Sequence, residues 1–213
     1  MKSNKKLAII MLGAPGSGKG TQGELLEKAT GFSRYVMSDL IKKELKPGND
    51  LYNKVFKQGI LLGDSDIFQI FDKHFKSESD VIIDGIPRTL DQSYWLYGYL
   101  MKHEYEIKII YLEVNENKLI KRITSRYYCS KCHHLYNTIV LKPKKEGVCD
   151  VDGSKLIQRE DDTKKVFSER IKIFDSVKDV ILKVYEAEVI NVNGDQEIDR
   201  VGKDIMKKII MRK

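Results

Sequence analysis

Lys6-Leu7-Ala8-Ile9-Ile10-Met11-Leu12 runs straight into Gly13-Ala14-Pro15-Gly16-Ser17-Gly18-Lys19-Gly20-Thr21. The first seven residues have the length and apolar character of a buried strand, and the residues after the glycines have helical spacing. Between them, Gly13 to Lys19 fits G-x-x-x-x-G-K, here in the strand-to-helix setting that gives the pattern its meaning. Glycines leave consecutive backbone N–H groups free to point inward, so the loop can cradle phosphate oxygens at the positive end of a helix. Lys19 adds a mobile charge for the outer phosphates. An ordinary glycine-rich turn would have no need of a lysine at that place.

Further strand-length apolar runs occur at residues 81–84, 107–114 and 189–192. Helical spacing fills the intervals, at residues 20–29, 39–46, 65–75, 90–102, 116–126, 163–188 and 196–211. Such alternation predicts an α/β fold, a doubly wound parallel sheet with crossover helices. The 213 residues suffice for one large domain carrying inserts. With 41% hydrophobic residues the chain can bury a real core, and 32% charged residues can solvate it. The longest apolar run, Leu7 to Leu12, is too short to cross a bilayer. Residues 1–5 read as a disordered tip and not as a secretory signal, because the loop motif follows the run at once and no small-residue cleavage site precedes it. A soluble, cytoplasmic, monomeric protein is expected, with no nucleic-acid and no membrane partner. The balance of 38 basic against 31 acidic residues, +7 net, favours anionic partners, nucleotides or nucleic acid.

Residues 127–158 break the pattern: they are rich in Cys, His, Lys and Gly and poor in helical periodicity. Cys129-x-x-Cys132 and Cys149-x-x-Asp152 form two knuckles of the kind that close tetrahedrally on zinc, with Asp152 in the fourth place. The expected Zn²⁺ is structural, since four protein ligands leave no open position. His133, His134 and Asp150 compete for that fourth place. An odd cysteine count argues against a disulfide framework. A weaker candidate insert covers residues 38–63, where Lys46-Pro47-Gly48-Asn49 splits two short helical stretches.

Gly20 stands where many phosphate-loop enzymes place the Ser or Thr that ligates Mg²⁺, with Thr21 one step later, which argues against a GTPase or transporter ATPase. The run GAPGSGKGTQ resembles the nucleoside monophosphate kinases, specifically the adenylate kinases. Asp84-Gly85-Ile86-Pro87-Arg88-Thr89, with Gln92 beyond it, is similar to that family's D-G-F-P-R-T segment. Arg122 and Arg126 on the helix before the insert, and Arg159, Asp161-Asp162 and Arg170 after it, keep the family's order and spacing. The joint match spans nearly the whole chain.

The resemblance implies three parts: a phosphate-loop core (residues 1–37, 64–126 and 159–213), an acceptor-binding insert (38–63) and a zinc-bearing lid (127–158). It implies phosphoryl transfer from Mg²⁺-bound ATP to AMP. The residues Gly13, Ala14, Pro15, Gly16, Ser17, Gly18, Lys19, Gly20 and Thr21, with Arg122 and Arg126, would hold ATP, Arg122 lying against the donor adenine. Met37, Ser38, Lys42, Leu62, Gly85, Arg88, Gln92, Arg159 and Arg170 would hold AMP. Lys19, Arg88, Arg126, Arg159 and Arg170 would share the transferring charge, and Asp84 would hold water around Mg²⁺. Asp161 and Asp162 would either orient the arginines or cap the helix from Thr163. The match falters at Val36-Met37-Ser38-Asp39-Leu40-Ile41-Lys42, where the family reads S-T-G-D-x-L-R: Met37 replaces Thr, Ser38 replaces Gly as a fair helix N-cap, and Lys42 keeps the charge of an Arg without its fork. Val140 stands where a lid aromatic is common. Two other readings stay open, a kinase for another nucleoside monophosphate and a basic zinc-ribbon protein binding nucleic acid, though the latter leaves Lys19 unexplained.

Overall fold

The apolar run of the first strand is divided between two faces of one sheet in the structure, a computed structural model that describes residues 5–76, 78–132, 134–158 and 164–210. From β1 (Lys6–Leu12), Ala8, Ile10 and Leu12 enter one core while Leu7, Ile9 and Met11 enter the other. Strands β2 (Ser33–Val36), β3 (Val81–Asp84), β4 (Tyr105–Glu113) and β8 (Val189–Asn193) complete an all-parallel sheet of order β2-β3-β1-β4-β8. Helices cover both faces. The larger core packs α2 (Met37–Glu44), α4 (Asp64–His74), α5 (Leu90–Lys102) and α7 (Lys164–Val184) through Leu40, Phe71, Leu96, Leu100 and Ile181, with Tyr185 just beyond α7. On the other face, α1 (Lys19–Thr30) contributes Leu26, and α8 (Ile198–Ile210) contributes Val201, Ile205 and Ile209 at one-turn spacing. This is the doubly wound α/β sheet expected of a P-loop protein.

Connections from β1 and β3 leave to opposite sides of the central strand, which opens a crevice at the carboxyl edge, where ligands bind in such sheets. Asp84 ends β3 at that edge, in register with Met11 of β1 and Val36 of β2. Residues 50–56 form the separate short helix α3 (Asp50–Phe56), capped by the Asn49 side chain on Leu51 N–H at 2.7 Å.

A second sheet, order β6-β5-β7 and antiparallel, is built from β5 (Arg126–Cys129), β6 (Leu135–Asn137) and β7 (Leu156–Ile157). It follows helix α6 (Glu116–Thr124), whose Arg122 carbonyl accepts from Asn137 Nδ2 at 2.7 Å. Arg126 therefore begins a strand and does not end a helix, a correction to the sequence reading. Ser125 closes α6 through its N–H to Lys121 O, and the chain turns into the sheet there. Two further expectations change. The helix expected from Asp39 starts at Met37, with Val36 as the extended residue before it and no side-chain cap, so Ser38 lies inside the first turn. The edge strand β2 and the three strands of the second sheet were not anticipated. Residues 1–4, the start of the expected helix at Thr163, and Met211 lie outside the described residues. Among those described, no helix is long and apolar enough to cross a membrane.

Candidate active site

The glycine loop does what its composition promises. Gly16 and Gly18 take φ of +80 and +100, a region that costs other residues strain, and Gly18 leads into α1 with no side chain capping the helix. With no acidic residue in its first turn, α1 presents its free N–H groups and positive end toward the crevice. Lys19 folds back over the loop, its Nζ donating to Gly13 O at 2.7 Å and Ala14 O at 2.9 Å.

A cavity of about 910 Å³ lies over this loop. Lys19, Asp84, Arg88, Arg122, Arg126 and Arg170 all line it, and so does Lys42. Of the ATP-side candidates, Ala14 alone is absent from the lining, and its carbonyl instead holds Lys19. Arg122 is anchored to two carbonyls, Ser17 O at 3.3 Å and Gly194 O at 2.8 Å. Val140 and Ile139, in the turn after β6, are about half exposed toward the same space. Arg159, Asp161, Asp162 and His133 lie outside the described residues.

Beside it lies a smaller cavity of about 80 Å³. Its walls are apolar, from Met37, Ile41, Val55, Phe56, Leu62 and Ile67, with one amide, Gln92. Ser38, Gly59, Gly85, Arg88 and Arg170 line both spaces, so the cavities meet around two guanidinium groups. The structure thus gathers the proposed acceptor residues Met37, Ser38, Leu62, Gly85, Arg88, Gln92 and Arg170 in one place. Lys42 stands apart in the larger cavity, 5.6 Å over the Phe56 ring and 3.7 Å from Asp39 Oδ1.

Crowding of like charges perturbs the site. Burial, with Arg88, Arg170 and Arg126 adding to it, brings Lys19 down to about 8, and Asp84 opposes the shift. Burial likewise raises the carboxyl of Asp84, which is only 7% exposed, against the pull of Lys19, Arg34 and Arg88. Arg88 falls to about 10 through burial among the cleft walls and through Arg170, although its side chain stays open to the cavity mouth. Three or more cations around one carboxylate make a site short of negative charge, which a polyanion supplies.

Sequence reasoning passed over Asp39 and Arg34. Asp39 lines the cavity and pushes the Asp84 carboxyl further up. It is the acidic residue of the same Val36 to Lys42 stretch already compared with S-T-G-D-x-L-R, so the signal was present. Arg34, held by Glu27 Oε2 at 2.7 Å, also lines the cavity, and nothing in the sequence marks it, since its strand was itself unforeseen.

Beside the second sheet, one ligand atom from each of Cys129, Cys132, Cys149 and Asp152 lies within 4.8 Å of the others. Cys132 and Cys149 sulfurs are 3.6 Å apart, and Cys129 Sγ is 3.3 Å from Asp152 Oδ1. A tetrahedral metal with bonds of about 2.3 Å to sulfur sets such atoms about 3.8 Å apart, so the set fits zinc. Lys131 N–H and Cys132 N–H approach Cys129 Sγ at 3.4 Å, and Val151 N–H approaches Cys149 Sγ at 3.4 Å, a donor that favours the Cys149 thiolate. The competing ligands are engaged elsewhere: Asp150 Oδ1 accepts from Lys144 N–H at 2.9 Å, and the His134 ring packs edge-on to Tyr136 at 5.0 Å.

A phosphate loop under a basic cleft, with a second, apolar chamber opening from it, defines a P-loop protein built to bring a nucleotide and a smaller anionic partner together. The sequence profile of the family described as Adenylate kinase matches residues 11–190. An adenylate kinase of Rickettsia prowazekii is 33% identical, covering 94% of this chain and 99% of that protein. One of Thermosipho melanesiensis is 35% identical over 94% and 98%, and one of Onion yellows phytoplasma 31% identical over 94% and 97%. The chain belongs to the adenylate kinase family and is a nucleotide phosphotransferase.

Proposed function

We infer that this chain transfers the terminal phosphoryl group of Mg²⁺-bound ATP to AMP, and reverses the reaction with two ADP. The observation that carries this is the gathering of Arg88, Arg126, Arg170 and the buried Asp84 around Lys19 in one cavity, which meets the smaller cavity at Arg88 and Arg170. Moving a phosphoryl group between two polyanions needs little covalent chemistry; it needs both held in line and the equatorial charge neutralised. In this reading the loop from Gly13 to Thr21 holds the donor phosphates, and Lys19 exchanges its carbonyl partners for them. Arg126, Arg170 and Arg159 hold the transferring group, while Arg88 and Lys42 hold the acceptor phosphate. The guanidinium fork suits this because it bonds phosphate bidentately and keeps its charge. Arg122 lies against the donor base, and the smaller cavity takes the acceptor base beside Gln92.

Asp84, with Asp39 near it, has the carboxylate chemistry to hold the water shell of Mg²⁺, an ion that bound with ATP spreads charge from its phosphates. Cys129, Cys132, Cys149 and Asp152 hold a structural Zn²⁺ that organises residues 127–158 as a lid. The lid and the insert of residues 38–63 close over the substrates and exclude water, so that ATP is not lost to hydrolysis. Both parts lie against the core in this structure. A methyl group at Gly59 would meet Val166 Cγ1 at 3.0 Å, and one at Gly20 would lie 3.8 Å from Leu135 Cδ1, so both parts already reach the core.

A coupled assay with ATP and, in turn, AMP, GMP, UMP and CMP tests the reading. AMP is expected to be the efficient acceptor. A preference for another monophosphate would reassign the acceptor site, and no turnover with any would refute phosphoryl transfer.

A further inference from the structure

The acceptor reading rests on an amide, and an amide turned by half a rotation exchanges its donor for its acceptor. A 6-aminopurine offers an N–H at its 6-position and accepts at N1. A 6-oxopurine reverses both, accepting at O6 and donating from N1. A freely turning glutamine would satisfy either. In this protein Gln92 is not free to turn. Its Oε1 accepts from Arg88 backbone N–H at 2.7 Å, and its Nε2 donates to Asp64 Oδ1 at 2.8 Å. A backbone N–H only donates and a carboxylate only accepts, so a flipped amide would face N–H with N–H and oxygen with oxygen.

Asp64 is itself held. Its Oδ2 accepts from Thr89 Oγ1 at 3.0 Å, and Thr89 Oγ1 in turn accepts from Gln92 backbone N–H at 3.1 Å. Asp64 is the first residue of α4, where a negative side chain suits the helix end, and it ties that end to the start of α5. Gln92 is 2% exposed and lines the smaller cavity. Each contact of the amide uses one of its two lone pairs or one of its two N–H bonds, which leaves one of each for a ligand.

We propose that Asp64 is a positioning residue that holds the Gln92 amide in one orientation, and thereby makes the acceptor site select a 6-aminopurine monophosphate over a 6-oxopurine one. This rests on the acceptor-site reading given above. A merely structural tie between α4 and α5 would alter stability and treat both acceptors alike.

The test compares kcat/KM for AMP and for inosine monophosphate, with ATP as donor, in the wild type, Asp64→Asn and Asp64→Ala. The ratio of the two efficiencies does not depend on how much of a preparation is folded. The wild type should favour AMP by about a hundredfold or more. In Asp64→Asn, whose amide can pair with Gln92 in either orientation, only the Arg88 backbone N–H still opposes the turned amide, so the ratio should fall about threefold or more, chiefly through a gain with inosine monophosphate, while KM for ATP stays unchanged. An unchanged ratio in both variants overturns the proposal. So does a wild type that uses the two acceptors equally, or, should neither variant be active, one that binds the two nucleotides equally. Failure of AMP as an acceptor for the wild type would refute the acceptor reading itself.

Discussion

Lys19 shares its surroundings with three arginines, and Asp84 is the opposite charge acting on it. With a pKa lowered to about 8, it is mostly protonated at neutral pH in the free protein and loses its charge just above. Bound phosphate favours the charged form, so binding takes up a proton once the solution passes that value. KM for ATP should therefore be flat near pH 7 and rise above about pH 8, up to about tenfold per unit for one proton; a flat profile to pH 9.5 would contradict the placement of Lys19 on the donor phosphates. Lys19→Met should lower kcat about 10²–10³-fold or more with an unchanged circular dichroism spectrum, because it removes transition-state charge from a loop and not from the core. Arg88→Ala should raise KM for AMP about tenfold or more and leave KM for ATP nearly unchanged. Equal effects on both substrates would move Arg88 out of the acceptor side.

Elements differ in what holds them. Helix α8 is held by burial: Ile205 is 1% exposed, and Ile205→Ala should cost about 2–5 kcal/mol in chemical denaturation with KM values kept. The small sheet of β5, β6 and β7 has a core of little beyond Cys129, Tyr136, Cys149 and Leu156, too few side chains to order residues 126–157 alone. Protein purified without chelator should carry about one zinc per chain, and its removal should lower Tm and ATP turnover together. Finding no metal, with three freely titrating thiols, would contradict the zinc assignment. The same contrast explains what could be read in advance. Residues 81–84 and the first strand are continuous apolar runs, buried on both faces, and their bounds were legible to the residue. Ser33-Arg34-Tyr35-Val36 is a four-residue edge strand, half exposed, whose pattern does not separate it from a loop. The strands around the cysteines are two to four residues long and arranged around ligands, so hydrophobic periodicity could not reveal them. The glycine loop and the Cys₃Asp set were legible because chemistry fixes their spacing, whereas the arginines were read only through the family resemblance. The Asp64–Gln92 bond was not, because it joins residues 28 apart whose meeting only the packing of α4 on α5 decides.

At the scale of the whole molecule, the parallel sheet supplies a rigid edge, and the residues of both flanking segments bring cations to it from far apart in sequence. Lys19 and Arg170 both line the same cavity from α1 and α7, far apart in the chain. The account stands on that convergence serving two nucleotides at once. Phosphorus NMR of the protein with Mg²⁺, ATP and AMP follows every phosphate in one experiment. ADP signals should grow at twice the rate at which ATP is consumed, matched by loss of AMP, with no inorganic phosphate released. Inorganic phosphate appearing while AMP stays constant would contradict the claim.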